Sequence, residues 1–369
     1  MTEPFAELDT PSLLFDMDVL ETNIAEMASV AREAGVGLRP HTKTHKSPAI
    51  ARMQVEAGAS GITVAKLGEA EVMVDAALDD VLVAYPVWGE TKLARLRALM
   101  ERAGIRVSLD SVEVAEGIGR VGRDLGRDVP VLVEVDTGLH RMGRAPGAAT
   151  VHLASAVARI RGVDVIGLLT HAGHAYRSAG AEELHVTAER EARDLLETAE
   201  GCARAGLEMR EISVGSTPTA RIVATVPGVT EIRPGTYVVN DVQQLRLGVA
   251  TQATCAARVL VTVVARPTDE RFLVDAGTKA FTSDGPDGEG SAFPGRGVAY
   301  GRPDLRLDFM NEEHGVGHIE GGGALEIGER LEVIPLHACG CVNMFDVAYG
   351  VRGGVVEREF AIAGRGRMQ

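Results

Sequence analysis

The chain has 369 residues, of which 45% are apolar and 4% aromatic, and its formal net charge is −14 at pH 7. That length and apolar content suffice for one large domain, or for a large domain with a smaller one. A surface of this charge repels a nucleic-acid backbone, and no stretch stays apolar long enough to cross a bilayer. The first nine residues lack a basic segment followed by an apolar one. We therefore expect a cytoplasmic protein that acts on a small molecule, with neither nucleic acid nor membrane as a partner.

Between about residues 20 and 250, short β-branched apolar runs alternate with longer stretches of helical periodicity. The predicted strands are 37–43, 61–65, 81–85, 105–109, 129–135, 163–170, 211–215 and 236–239. The predicted helices are 20–34, 48–57, 67–77, 91–103, 111–125, 148–160, 182–205 and 217–226. This alternation is typical of βα units that build a parallel sheet. It predicts an α/β fold, a (β/α)8 barrel of the TIM type.

An open, doubly wound sheet would share the alternation, but the Gly-rich dinucleotide-binding turn is absent after the first predicted strand. Polar side chains cluster where predicted strands end, among them Lys43, Lys66, Asp110 and Asp136. In a barrel these strand ends share one face, and that face carries the active sites of barrel enzymes. The barrel is therefore the preferred interpretation.

After about residue 255 the chain contains strand patterns without intervening helices, at 257–265, 271–275, 330–335 and 355–362. Gly-rich stretches such as 283–297 and 315–323 separate some of them. This pattern indicates a C-terminal all-β domain. We predict a barrel domain at 16–252 and a β domain at 253–369, and the strand-like residues 12–15 could belong to either.

A basic string runs from Arg39 to Lys46, with the sequence RPHTKTHK. An exposed charged edge is the ordinary interpretation of such a string. However, a lysine at the carboxyl end of a barrel strand points into the barrel mouth. There, desolvation and neighbouring cations lower the amine pKa and favour Schiff-base chemistry. Lys43 fits that position, whereas Lys46 falls at the start of the next predicted helix.

Two strings fit a phosphate site. Residues 213–219 (SVGSTPT) end the seventh predicted strand, and residues 233–238 (RPGTYV) accompany the eighth. Glycine lets a backbone approach an anion, hydroxyls donate hydrogen bonds, and a helix N-terminus adds positive potential. An ordinary helix cap by Ser216 or Thr217 is the alternative for the first string. Together the two strings favour a phosphate anchor, because barrel phosphate sites form after strands seven and eight.

His337 and Cys339 lie two residues apart, and would share one face of a strand with Cys341. Nitrogen and sulfur donors suit Zn²⁺, and two protein ligands would leave positions open for water or substrate. A buried histidine beside a free thiol is the ordinary alternative. With Cys202 and Cys255, the chain has only four cysteines, too few for a disulfide framework. The string Glu-Glu-His at 312–314 could be a second metal site or a loop anchor.

Taken together, these strings resemble the metal-activated fold-type III pyridoxal-phosphate enzymes of the D-threonine aldolase and D-serine dehydratase family, which are more distantly similar to alanine racemases. The resemblance covers nearly the whole chain. Its markers are TPS at 10–12, RPHTKTHK at 39–46, VEVDTGLHRMG at 133–143, THAGHAY at 170–176, SVGSTPT at 213–219, EIRPGTYVVND at 231–241, DAGTKAFTSD at 275–284, EEHG at 312–315 and HACGCVNMFD at 337–346.

The resemblance implies specific roles. Lys43 is implied to bind pyridoxal phosphate covalently, Arg141 to contact its phenolic oxygen, and Tyr176 to face its pyridine nitrogen. His337 and Cys339 are implied to be the metal ligands, in the C-terminal β domain. The other implied cofactor-binding residues are His171 and, for the phosphate, Gly215, Ser216, Thr217, Gly235, Thr236 and Tyr237. A homodimer is also implied.

The implied activity is that of a lyase that uses pyridoxal phosphate and a divalent metal, with Lys43, His337 and Cys339 as catalytic residues and β-hydroxy D-amino acids as substrates. Cysteine at the second metal position is the dehydratases' pattern and aspartate the aldolases', so Cys339 favours zinc over manganese and dehydration of D-serine or D-3-hydroxyaspartate to a keto acid and ammonia. The alternative is cleavage to glycine and an aldehyde. Two other functions are less favoured. An amino-acid racemase does not need the metal ligands His337 and Cys339, and a non-catalytic cofactor-binding protein needs neither these ligands nor the β domain.

Overall fold

The computed structural model describes residues 5–285 and 295–369. The Gly-rich stretch predicted at 283–297 therefore lies largely outside the described residues. The chain divides into two compact units. The first, here called the barrel unit, comprises residues 26–43, 51–235 and 366–369. The second, here called the β unit, comprises the described parts of 1–25, 44–50 and 236–365.

The strands are β1 (Ser12–Asp16), β2 (Gly37–Leu38), β3 (Ile62–Val64), β4 (Asp80–Val83), β5 (Gly104–Leu109), β6 (Val129–Glu134), β7 (Val163–Leu169), β8 (Glu211–Val214), β9 (Glu231–Ile232), β10 (Ala257–Thr268), β11 (Arg271–Val274), β12 (Gly297–Ala299), β13 (Leu305–Met310), β14 (Gly315–Ile319), β15 (Arg330–Pro335), β16 (Val347–Arg352) and β17 (Val355–Ala361).

The α-helices are α1 (Met17–Ala34), α2 (Pro48–Glu56), α3 (Leu67–Asp75), α4 (Glu90–Met100), α5 (Val112–Leu125), α6 (Ala148–Val157), α7 (Ala181–Arg204), α8 (Ala220–Val223), α9 (Val242–Arg246), α10 (Thr278–Phe281) and α11 (Ala338–Val342). Short 3-10 helices occur at Gly173–Arg177, Thr236–Val238, Gln252–Thr254 and Glu320–Gly322. Across the described residues, every helix is too short or too polar to span a membrane.

The barrel unit contains a parallel sheet in the order β2-β9-β8-β7-β6-β5-β4-β3. The two end strands also meet, because His41 pairs with Thr63, and the Thr63 N–H donates to the carbonyl of Pro40 at 2.8 Å. The ring of eight strands is therefore closed, with helices between successive strands, and the predicted barrel fold is confirmed.

The barrel strands form because their residues are buried on both faces, as the continuous apolar run Val131–Val133 in β6 illustrates. The helices are amphipathic. In α5, Val114, Ile118 and Val121 are buried, whereas the intervening charged residues are exposed. This helix ends at Gly126, whose φ of 67° is the left-handed conformation that glycine adopts without strain.

The eighth strand differs from the prediction. Residues 236–239 are not a strand: the eighth strand is β9, and Thr236–Val238 form a 3-10 helix. The predicted segment has the β-branched and aromatic residues of a strand, but β9 is only two residues long and has no periodicity that a sequence could reveal. Its identity comes from long-range pairing, since Glu231 pairs with both Gly37 and Ser213.

The β unit contains a nine-stranded sheet in the order β11-β14-β13-β12-β15-β10-β1-β16-β17, in which β10 also pairs with β11. Its pairings are antiparallel except for that of β1 with β16. The predicted all-β fold is confirmed, and residues 12–15 lie in this sheet. Strands β12, β13, β14 and β16 were missed. In β14, glycines interrupt the apolar alternation by which a strand is recognised. Gly317 is required there because a Cβ at this position would lie 2.2 Å from the Phe272 ring.

Candidate active site

Lys43 lies in the barrel unit, just after the His41–Thr63 pairing that closes the ring. Strand β2 is shorter than predicted, and residues 42–45 form turns. The Lys43 N–H donates to Nδ1 of His41 at 3.4 Å, and its side chain is partly buried. Lys43 therefore follows the carboxyl end of the first barrel strand, the position that favoured it over Lys46.

Two histidines share the mouth of the barrel with Lys43. Burial lowers the pKa of His41 and His171 well below the ordinary value, and the positive charge of Lys43 lowers both further. Arg141 and Arg233 act in the same direction on both histidines. Both imidazoles are therefore neutral at neutral pH. Lys43 and Arg141, which were predicted from distant parts of the sequence, both lower the pKa of His171, so their charges lie within interaction range of that imidazole.

Arg141 lies in the loop after β6, and backbone hydrogen bonds within that loop connect its two ends. The Asp136 N–H donates to the carbonyl of Arg144 at 2.8 Å, and the Arg144 N–H donates to the carbonyl of Glu134 at 3.1 Å. Gly143 donates its N–H to Asp110 Oδ2 at 3.0 Å and has a φ of 99°. A Cβ there would lie 2.8 Å from the Asp136 nitrogen, so only glycine fits. These contacts fix the backbone of the loop, whereas the Arg141 side chain on it is exposed.

Gly215, Ser216 and Thr217 are buried after β8, and Gly215 has a φ of 96°. The Gly235 N–H donates to Thr217 Oγ1 at 3.2 Å, so the two strings predicted to bind phosphate meet within the barrel unit. Helix α8 begins at Ala220, three residues later than predicted, with Thr219 in the cap position. The alternative that Ser216 or Thr217 is an ordinary helix cap is therefore wrong.

The remaining predicted cofactor residues are Tyr176, Thr236 and Tyr237, and they belong to different units. Tyr176 belongs to the 3-10 helix Gly173–Arg177 after β7, in the barrel unit, and is partly buried. Thr236 and Tyr237 are buried in the β unit. Thr236 Oγ1 is 3.8 Å from Cys339 Sγ in that unit.

Two buried carboxylates in the barrel unit were not predicted as site residues. Glu134, the last residue of β6, is 4% exposed, and Glu191 on α7 is 1% exposed. Burial raises the pKa of Glu134 to about 7, although Arg141 and Arg233 oppose the rise. A signal existed for both: Glu134 ends a wholly apolar strand, and Glu191 occupies an apolar position of the helical pattern set by Leu184 and Leu195.

The spacing of His337 and Cys339 suggested a strand, but the structure does not place them on one. His337 is the N-cap residue of α11, and Cys339 lies inside that helix. The carboxylate of Asp241 accepts the N–H of Ala338 at 2.9 Å and so satisfies one of the helix's first donors. Cys341 does not share their face: its thiol donates to the carbonyl of Ala280 at 3.2 Å, and burial raises its pKa.

The His337 imidazole is held on one side by a carboxylate, because its Nδ1 lies 2.6 Å from Asp284 Oδ2. Burial lowers the pKa of His337, but Cys339, Asp241 and Asp284 outweigh that effect and raise it to about 10. The thiol of Cys339 also lies 3.2 Å from Thr44 Oγ1, within the β unit. Thr44 is the residue that follows Lys43 in the chain.

This donor set fits a soft divalent cation. A carboxylate bound to one ring nitrogen is the usual support of a metal-binding histidine, because it leaves the second nitrogen for the metal. Imidazole and thiolate are the donors that zinc prefers. The described residues contain no group of three or more His, Cys, Asp and Glu side chains that could hold a metal. In the string at 312–314, Glu313 pairs with Lys279 at 2.5 Å on the surface, as a loop anchor would.

Two family models match successive parts of the chain. Residues 15–242 match the family model described as "Alanine racemase, N-terminal domain". Residues 256–351 match the model described as "Putative serine dehydratase domain".

The chain is 36% identical to the D-threo-3-hydroxyaspartate dehydratase of Delftia sp. (strain HT23), over 92% of this chain and 93% of that protein. It is 32% identical to the D-threonine aldolase of an Arthrobacter species, over 99% and 94%. Its fold matches the crystal structure of D-threonine aldolase from Filomicrobium marinum with a TM-score of 0.92 and 31% identity, over 100% of this chain and 98% of that one. The chain therefore belongs to the family of pyridoxal-phosphate-dependent, alanine racemase-like lyases that includes D-threonine aldolase and D-threo-3-hydroxyaspartate dehydratase.

Proposed function

We propose that this protein is a divalent-metal-dependent lyase of that family that acts on β-hydroxy D-amino acids. Its main reaction is dehydration of D-serine or D-3-hydroxyaspartate, which yields a keto acid and ammonia. The observation that carries the proposal is the His337–Cys339 pair, with Asp284 at 2.6 Å behind the imidazole. A racemase that only exchanges the α-proton has no use for a site of this kind.

Lys43 is proposed to hold the cofactor and to move the α-proton. Bound pyridoxal phosphate supplies an electron sink for negative charge on the substrate's α-carbon. With the cofactor bound, the Lys43 amine would act as the base that removes the proton from that carbon. The neutral histidines His41 and His171 add no positive charge beside it. Arg141 and Tyr176 are proposed to orient the cofactor ring, and the residues around Gly215 and Gly235 to hold its phosphate.

His337 and Cys339 are proposed to hold the cation, with Zn²⁺ preferred over Mn²⁺ because a thiolate is a soft ligand. A cation held there supplies Lewis acidity toward the substrate's β-hydroxyl group. Within the β unit, the Thr44 hydroxyl lies 3.2 Å from Cys339 Sγ and helps to orient that thiol. Asp284 is proposed to fix the tautomer of His337.

Aldol cleavage is the second candidate. It is supported by 32% identity to a D-threonine aldolase over 99% of this chain. In that reaction a base removes the hydroxyl proton and the bond between the α and β carbons breaks, which yields glycine and an aldehyde. The metal ligands would serve both reactions, so the products decide between them.

The test is to incubate the purified protein, loaded with pyridoxal phosphate and either Zn²⁺ or Mn²⁺, with D-serine, D-threonine and D-3-hydroxyaspartate. We expect ammonia and keto acid, loss of turnover after chelation, and recovery on adding the metal. Glycine with an aldehyde would contradict dehydration. In Cys339→Ser the soft donor is lost while the size is kept, so bound zinc and turnover should fall together; zinc binding is measured by metal analysis after dialysis.

A homodimer is part of the proposal, and size-exclusion chromatography with light scattering tests it. A mass of about twice the 39.0 kDa of one chain is expected. A monomeric protein with full activity would contradict it.

A further inference from the structure

Helix α7 carries a carboxylate on its buried face. Glu191 lies among Ala188, Ala192 and Leu195, which are all buried, and it is itself 1% exposed. Taking a carboxylate out of water costs several kcal/mol unless hydrogen bonds replace the water. A leucine at this position would continue the apolar face of the helix at no such cost. Glu191 therefore needs an explanation beyond helix packing.

The carboxylate joins two barrel loops. Oε1 of Glu191 accepts the N–H of Ala172, in the loop after β7, at 3.2 Å. The same oxygen accepts the N–H of Gly215, in the loop after β8, at 3.0 Å. His171 directly precedes Ala172, and Gly215 begins the segment proposed to bind phosphate. One buried side chain thus fixes the spacing between these two loops.

The second carboxylate oxygen of Glu191 is linked to Ser216 through the hydroxyl of Thr219. The hydroxyl of Thr219 donates to Glu191 Oε2 at 3.0 Å, and the same hydroxyl accepts the N–H of Ser216 at 3.0 Å. The Glu191–Thr219 pair therefore orients two successive peptide groups, directly at Gly215 and through a hydroxyl at Ser216. Gly215 has a φ of 96°, and because glycine can adopt many backbone conformations, the hydrogen bond to Glu191 favours this one.

We propose that Glu191 is a positioning residue that holds the loops after β7 and β8 in the shape that binds the phosphate group of the cofactor. This inference rests on the proposed function. Glu191 does not contact the phosphate, because its charge would repel it; it acts through the peptide groups and through Thr219. Its loss should therefore weaken binding of the phosphorylated cofactor more than binding of the same aldehyde without phosphate.

The test compares pyridoxal phosphate with pyridoxal, which forms the same lysine link but lacks the phosphate. Their dissociation constants are measured on the apoprotein by absorbance titration and by equilibrium dialysis. Glu191→Gln keeps one accepting oxygen but replaces the other with a donor. It should raise the constant for pyridoxal phosphate about tenfold and that for pyridoxal less than about twofold, as expected for one or two lost charge-assisted hydrogen bonds.

Two further variants make the result specific. Thr219→Val removes the link to Ser216 alone and should show a smaller effect of the same kind, about threefold. It also serves if Glu191→Gln does not fold. Glu197→Gln makes the same chemical change on the exposed face of α7 and should change neither constant.

Equal weakening of both ligands in Glu191→Gln or Thr219→Val would overturn the inference and indicate a general structural role. Unchanged binding of pyridoxal phosphate in both would overturn it as well. A wild-type protein that forms no lysine link with pyridoxal phosphate would overturn the proposed function itself, which separates the two failures.

Discussion

The two ends of the barrel use charge in opposite ways. At the amino-terminal ends of β4, β8 and β9, acidic residues are paired with arginines. Asp80 and Glu231 contact Arg39 at 2.8 Å and 2.7 Å, and Glu211 contacts Arg106 at 2.6 Å. At the carboxyl-terminal ends, Glu134 and the histidines of the mouth form no ion pair within the part of the chain that the structure describes. Instead, burial moves their pKa values toward neutral forms.

The difference separates stability from chemistry. Although burial lowers the pKa of Arg39, Glu231 and Asp80 raise it above its ordinary value, so Arg39 stays charged at every working pH. At the other end, Glu134 can gain or lose its proton near pH 7, whereas His41 and His171 stay neutral there, because burial is the largest influence on these pKa values. Mutations at the two ends should therefore affect different measurements.

The largest effect is expected for Lys43→Ala at the mouth. Turnover should fall by about 10²–10⁴-fold, the range for loss of a positioned base, and the absorbance of the lysine-linked cofactor should disappear. The thermal midpoint should change little, because Lys43 is only partly buried. Lys46→Ala is the matched control, and its spectrum should match the wild type. A lysine-linked spectrum that survives in Lys43→Ala but is lost in Lys46→Ala would contradict the assignment.

Arg39→Met tests the paired end. It leaves Glu231, whose side chain is 7% exposed, without its cation, so the free energy of unfolding should fall by about 3–5 kcal/mol. Urea denaturation of the apoprotein measures it. Arg102→Met breaks an exposed pair with Asp75 and should cost at most about 1 kcal/mol. Equal costs in the two variants would show that burial does not govern the contribution of these pairs.

The smallest effect is expected for Glu134→Gln, and it depends on pH. The folded protein binds the Glu134 proton up to a pKa of about 7, whereas the unfolded chain loses it near 4.5. The native state therefore holds more protons between these values, and wild-type stability falls as pH rises through that window, by an amount on the order of 3 kcal/mol at most.

Because the amide side chain of this variant cannot ionise, Glu134→Gln should lose that part of the pH dependence and gain stability relative to wild type at pH 8, with little difference at pH 4. Urea denaturation of both apoproteins across this range gives the comparison. Parallel pH profiles would show that Glu134 titrates at an ordinary pKa.

Much of the barrel could be predicted because its signals are local. Buried parallel strands are continuous apolar runs, and their helices are amphipathic, so seven of the eight predicted strands coincide with β2 to β8. The position of Lys43 after the first barrel strand was predicted correctly, because the end of a strand can be read from the same pattern. Strand β9 was missed because the β-branched and aromatic residues at 236–239 form the more evident strand pattern, although they adopt a 3-10 helix in the structure.

The metal-binding prediction illustrates a second limit. A spacing of two suggested that His337 and Cys339 lie on a strand. Instead these residues begin a helix, and one of its first donors is satisfied by Asp241, 97 positions away. Asp284 is 53 positions from His337. A pattern read within a window of residues cannot include partners at such distances.

The sequence by itself determined the order of βα units, the β domain after them, and the family, because apolar periodicity and ordered strings are properties of neighbouring residues. The tertiary structure decided which charges are paired and which are merely buried. Glu191 shows why: its place among the apolar positions of α7 indicates burial, but it becomes a link between two loops only when folding brings Ala172 and Gly215 to the same carboxylate. The free energy of a buried charge depends on donors that the chain supplies from elsewhere.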